Sequence, residues 1–149
     1  MRDITVADSA YWTIHCVGCY DVDISHISIL NNLKVRNCDG IDLDHTKKAR
    51  ISNCYIESGD DSICLKNRRE YAEYGDCEDI TVENCVLTSR SCTIKIGSEN
   101  VNRINNVTVN NCIITNSNRG IGIQNRHEGT VSNVSFNNIT IDCKYHSDR

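Results

Sequence analysis

Asp79-Ile80-Thr81-Val82-Glu83-Asn84-Cys85-Val86-Leu87 and Asn106-Val107-Thr108-Val109-Asn110-Asn111-Cys112-Ile113-Ile114 are one pattern written twice, 27 residues apart. A third copy, Asn133-Val134-Ser135-Phe136-Asn137-Asn138-Ile139-Thr140-Ile141, follows after another 27. Earlier copies are Asp3-Ile4-Thr5-Val6, Asp21-Val22-Asp23-Ile24-Ser25-His26-Ile27-Ser28-Ile29 and Ala49-Arg50-Ile51-Ser52-Asn53-Cys54-Tyr55-Ile56. Each alternates apolar and polar residues, the period of a half-buried strand. A second short strand recurs in each unit: Trp12-Thr13-Ile14, Ile41-Asp42-Leu43, Ile63-Cys64-Leu65, Ile94-Lys95-Ile96 and Ile121-Gly122-Ile123. Such a unit cannot bury its own apolar face, whereas stacked units can. The expected fold is therefore all-β, a right-handed parallel β-helix forming a single domain over residues 1–149. Val22, Ala49 or Ile51, Ile80, Val107 and Val134 should form one inward column, and an Asn at each corner should stack as an amide ladder.

The composition agrees. Proline is absent, and no helical periodicity interrupts the strands. Against 16 basic residues stand 20 acidic ones, which gives nothing for a nucleic acid to bind. No apolar run is long enough for a membrane span. Met1-Arg2-Asp3-Ile4-Thr5 is not the start of a signal peptide, so localisation is not legible; secretion or periplasmic export would belong to a longer parent. The repeat starts and stops without polar caps, as expected of the middle of a larger protein. Of the 10 cysteines, Cys54, Cys85 and Cys112 share one repeat position after an Asn, which reads as a buried stack. Cys16 and Cys19 are close enough in sequence to pair, but no second such pair completes a zinc site, and no metal or cofactor is expected. Oligomeric state is not legible.

Three acids stand out. When Ile41 is aligned with Ile63, Asp39 in Asn37-Cys38-Asp39-Gly40 falls on Asp61 in Ser58-Gly59-Asp60-Asp61-Ser62. On neighbouring coils those two would lie about 4.8 Å apart. Carboxylates so close oppose each other's ionisation, which suits proton transfer; the plainer reading is Asp in a corner turn. The same register puts Asp39, Asp61, Cys92 and Arg119 in one column, with Lys66 and Lys95 around the acids and Arg126 just beyond. These cations would bind a uronate carboxylate or depress the acids' pKa values, or be ordinary surface charges. Asn67–Asp76 is a charged, aromatic insertion, either a tolerated loop or a wall of the site. The histidines occupy unrelated repeat positions and read as packed or solvated; His127, beside Arg126, is the best exception. Sequons at Asn106, Asn133 and Asn138 lie within the repeat and read as repeat chemistry.

Ala10-Tyr11-Trp12-Thr13-Ile14-His15, Asn37-Cys38-Asp39-Gly40-Ile41-Asp42 and Gly59-Asp60-Asp61-Ser62-Ile63 resemble the polygalacturonases of glycoside hydrolase family 28. The first acidic motif of that family is Asn-Thr-Asp, here Asn37-Cys38-Asp39, and its second is Asp-Asp, here Asp60-Asp61. The resemblance implies inverting hydrolysis of pectic polymers, without cofactor. In it Asp60 is the general acid, and Asp39 and Asp61 activate water. Two later motifs depart. Cys92 stands where the family has the His of Gly-His-Gly, and Gly122-Ile123-Gln124 replaces Arg-Ile-Lys, which grips the substrate carboxylate. An altered specificity follows. The candidate substrate-binding set is Asn37, Lys66, Lys95, Arg119, Gln124 and Arg126. Two other functions suit the scaffold. A polysaccharide lyase would need calcium on Asp39, Asp42, Asp44, Asp60 and Asp61. An inactive or structural carbohydrate-binding fragment would need none of the acids.

Overall fold

The computed structural model describes residues 1–146. They form a right-handed parallel β-helix. Fourteen strands carry it: β1 (Thr5–Ala7), β2 (Ile14–Val17), β3 (Tyr20–Ser25), β4 (Ser28–Leu30), β5 (Ile41–Asp44), β6 (Lys47–Ser52), β7 (Tyr55–Ser58), β8 (Ile63–Asn67), β9 (Cys77–Glu83), β10 (Val86–Ser89), β11 (Cys92–Asn100), β12 (Arg103–Ser117), β13 (Arg119–Asn125) and β14 (Thr130–Cys143). One face is the sheet β2-β5-β8-β11-β13. The other two faces are stacked by β3-β6-β9 and β1-β4-β7-β10, which the long strands β12 and β14 join by turning the corner. Every pairing is parallel.

The register follows the repeat. Val22 pairs with Ala49, Ala49 with Ile80, Ile80 with Val107 and Val107 with Val134, the expected inward column. Ile14, Ile41, Ile63, Ile94 and Ile121 form the matching column on the third face. Ile41, Ile63 and Ile80 are at most 1% exposed. Burial of this apolar stack is the main favourable term, at about 25 cal/mol per Å². Cys54, Cys85 and Cys112 are buried on successive coils with sulfurs in contact, and all ten cysteines, Cys16 and Cys19 included, are free thiols.

The corner asparagines are chosen chiefly by backbone conformation. Asn53, Asn84, Asn111 and Asn138 have φ of 55°, 55°, 51° and 52°, the left-handed region that Asn tolerates best among residues with a Cβ. Amides do bridge coils there, from Asn138 to Asn111 and from Asn106 to Asp79. The buried ladder lies elsewhere, at the ends of the third-face strands. Asn67 donates to Asn100 at 2.8 Å, and Asn100 to Asn125 at 2.9 Å. This ladder adds to the corner ladder expected from the repeat, which the exposed amides form in part.

Candidate active site

The third face carries the site. At its edge, Asp39 sits just before β5, and Asp60 and Asp61 sit in the turn before β8. The turn is forced by close packing. A Cβ on Gly40 would lie 2.4 Å from the Ser62 carbonyl, and one on Gly59 would lie 2.1 Å from the Val35 carbonyl. Only glycine lets the backbones approach so closely beside the acids. Asp39, Asp60 and Asp61 each bring a carboxylate oxygen within 4.8 Å of the others, so the register read from sequence holds in space.

A cleft of about 250 Å³ opens over them. Asn37, Lys66, Lys95 and Arg126 line it with the three acids, together with Trp12, Gly97, Ser98 and Glu99. Gln124 borders the adjoining hollow with Ser98, Asn125 and Arg126. Arg119 is different: its guanidinium turns to Ser91, Nη2 donating to Oγ at 3.2 Å, and it takes no part in the cleft wall. The column rule placed its Cα correctly but could not fix the direction of a long side chain.

Each acid has a distinct setting. Asp61 accepts the Cys92 N–H at 3.1 Å and lies 3.5 Å from Lys95 Nζ. Asp60 is half-buried and accepts the Asn37 N–H at 3.2 Å. Asp39 is 4% exposed, and one of its oxygens has no hydrogen-bond partner. Burial pushes its carboxyl up to about 8, Asp42 reinforces the shift, and Lys66 opposes it. Lys66 is not the open cation expected from the sequence. It is 5% exposed, its Nζ is 2.7 Å from Asp42 Oδ1, and it lies 3.7 Å from the centre of the Trp12 ring.

Around Trp12 the structure assembles groups that periodicity did not reveal. Tyr11 stacks on it, His15 meets it edge-on, and Arg68 lies 5.1 Å above the ring. His15 Nε2 bonds the fully buried Asp44 at 3.2 Å. Asp44 also accepts the Arg68 N–H at 3.0 Å, and His45 bonds the carbonyls of Arg68 and Gly75. The 67–76 insertion is thus pinned to the coil, forms a short 3-10 segment over Arg69–Tyr74, and supports the wall by setting Arg68 against Trp12 and Glu99. Glu99 was hidden because the alternation of β11 breaks at Gly97, where φ is 97°. Of the five acids that a calcium-dependent lyase would use, Asp39, Asp60 and Asp61 come together, whereas Asp42 is held by Lys66 and Asp44 by His15 and Arg68.

The two departures from the family motifs touch each other. Cys92 is buried outside the cleft wall, and its sulfur would lie 2.8 Å from a Cβ at Gly122. One small residue makes room for the other.

The model of "Glycosyl hydrolases family 28" matches residues 1–145. A "Probable polygalacturonase" of Vitis vinifera is 31% identical over 105 residues, 66% of this chain and 21% of that protein. The crystal structure of a hyperthermoactive exopolygalacturonase from Thermotoga maritima superimposes with a TM-score of 0.81 at 26% identity, over 91% of this chain and 35% of that one. The chain therefore spans about a fifth of the first relative and about a third of the second.

Proposed function

The chain belongs to glycosyl hydrolases family 28, and from that premise we propose that the protein carrying it hydrolyses glycosidic bonds of a pectin-like polysaccharide with inversion at the anomeric carbon. The observation that carries this reading is the convergence of Asp39, Asp60 and Asp61 at the floor of the cleft.

Asp60, the most open of the three, protonates the leaving oxygen. Asp61, steadied by the Cys92 N–H and Lys95, draws the proton from the attacking water, with Asp39 beside it. The nearest oxygens lie within 4.8 Å, closer than the ~6.5–9.5 Å of an inverting pair that traps water between two carboxyls. With three acids the water is instead clasped from one side by Asp39 and Asp61, while Asp60 faces the leaving group. Specificity departs from that of a typical polygalacturonase because Gly122 and Gln124 carry no charge. A uronate carboxylate is met by Arg126, exposed at the cleft rim, with Asn37 and Gln124 supplying amides.

The test is product analysis with the full-length protein on oligosaccharides of galacturonate and of mixed uronate and neutral sugars. Early proton NMR spectra should show saturated products whose new reducing end has the inverted configuration. Unsaturated products would mean elimination, retained configuration would make Asp39 or Asp61 a nucleophile, and no cleavage of any pectic substrate would end the proposal.

A further inference from the structure

Beneath the cleft floor lies an unbalanced set of buried charges. β5 supplies Asp42 and β8 supplies Lys66. Asp42 is fully buried, and its Oδ2 has no hydrogen-bond partner. Lys66 holds Asp42 Oδ1 at 2.7 Å, and the Trp12 ring closes over the ammonium. Asp39, also buried, keeps one oxygen unpartnered. Two buried carboxyls thus share a single ammonium. A second uncompensated charge in that place is strongly unfavourable, so burial and the charge of Asp42 hold the proton on Asp39, and Lys66 alone of the trio opposes them.

The sequence left Lys66 two roles, binding the substrate's carboxylate or depressing the acids' pKa values. The geometry argues against the first. To reach a uronate, the ammonium would leave Asp42 ionised and unpaired in the protein interior, which is strongly unfavourable. The indole over the ammonium also narrows its approach to the cleft.

We propose, building on the hydrolase reading above, that Lys66 is a positioning residue: clamped between Asp42 and Trp12, it supplies the counter-charge that lets Asp39 give up its proton, and it does not bind the substrate. Asp42 is the opposing weight, since its own charge resists ionisation of Asp39. The shifts agree with this arrangement: Asp39 is driven up to about 8 and Asp42 to about 6, burial being the largest cause of each, and Lys66 pulls both down. The other groups facing the trio are Asp60 and Asp61 from the turn, Cys64 from β8, His15 from β2, and Lys95 through Asp61.

The experiment is a carbon-13 titration of the Asp39 carboxyl, assigned by Asp39→Asn, in the full-length protein and three variants, alongside the pH dependence of kcat/KM. Lys66→Met keeps the stem and removes the charge; it should raise the Asp39 midpoint by about one pH unit or more. Asp42→Asn should lower it by a similar amount, and Lys66→Arg should stay near wild type. Where the protein is active, the acid limb of kcat/KM should move with the midpoint, while KM for a uronate oligosaccharide changes less than about twofold. Opposite shifts from the two partners are not what a merely structural pair would give. If Lys66→Met does not fold, the opposite comparison, Asp42→Asn against Lys66→Arg, still decides. An unmoved Asp39 midpoint in the folded variants overturns the proposal. So does a tenfold or greater rise in KM confined to charged substrates. Because the carboxyl titration needs no substrate, failure of the hydrolase reading is read separately.

Discussion

Replacing Gly122 by alanine tests whether the two missing family residues are one structural decision. The new methyl would stand 2.8 Å from Cys92 Sγ, whereas non-bonded carbon atoms prefer about 3.5–4.0 Å and sulfur slightly more. Cys92 is 1% exposed, and its thiol donates to the Ile94 carbonyl at 3.4 Å, so it has little room to retreat. Overpacking of this kind costs about 1–3 kcal/mol, offset by the ~0.4–1 kcal/mol that alanine gains by restricting the unfolded chain. Gly122→Ala should therefore destabilise by about 1–2 kcal/mol, or about 2–4 °C per kcal/mol in a chain of this size. Cys92→Ala alone should cost about 1 kcal/mol, on the scale of deleting one buried methyl-sized group. In the double variant the nearest remaining contacts are Lys95 Cδ at 3.7 Å and the residue-92 Cβ at 4.0 Å, both ordinary. The double variant should be as stable as Cys92→Ala or slightly more so, giving a coupling of about 1 kcal/mol or more. Urea unfolding followed by circular dichroism measures all four corners of the cycle. Additivity within about 0.5 kcal/mol would refute the reasoning.

Gly40→Ala would drive a Cβ to 2.4 Å from the Ser62 carbonyl, a backbone atom that cannot swing away, so thermal melting should show a loss larger than for Gly122→Ala. Asn100→Ala removes the middle rung of the buried ladder and leaves Asn67 without its 2.8 Å acceptor; a loss of about 1–3 kcal/mol is expected by urea unfolding, and a smaller one for the exposed end rung, Asn125→Ala. Asp39→Asn should stabilise the fold in a pH-dependent way. The folded carboxyl is raised from 3.8 to about 8, so its ionisation penalty is absent below pH ~4, grows through that interval and is complete above ~8. The melting temperature of Asp39→Asn relative to wild type should therefore rise from pH ~5 to pH ~8.5, and a flat difference would contradict it.

Much of this could be read in the chain because a β-helix turns sequence spacing into spatial register. The 27-residue step alone placed Val107 on Ile80 and on Val134. Aligning Ile41 with Ile63 brought Asp39 to Asp61, since a strand has no freedom to shift one without the other. What escaped depends on side chains longer than the register or on loops outside it. Arg119 occupies the expected column yet bends to Ser91, and Lys66 points into a buried pair because Trp12 from an earlier coil covers it. Glu99 follows the irregular backbone at Gly97, where period-two alternation no longer assigns a face. His15 and His45 looked unrelated in the repeat; both reach Asp44, His15 from the neighbouring strand β2 and His45 as the next residue in the chain.

The claim that Asp60 is the proton donor, with Asp61 acting on water, is tested most directly by leaving-group dependence. Asp60→Asn and Asp61→Asn are assayed in the full-length protein on a natural oligosaccharide and on a glycoside with a good leaving group. Loss of positioned acid catalysis should cost Asp60→Asn about 10²–10⁴-fold in kcat on the natural substrate. The deficit should shrink sharply on the activated glycoside, which needs little protonation. Asp61→Asn should be crippled on both, because water must still be deprotonated. Equal deficits for Asp60→Asn on the two substrates, or full activity of that variant on the natural one, would contradict the account.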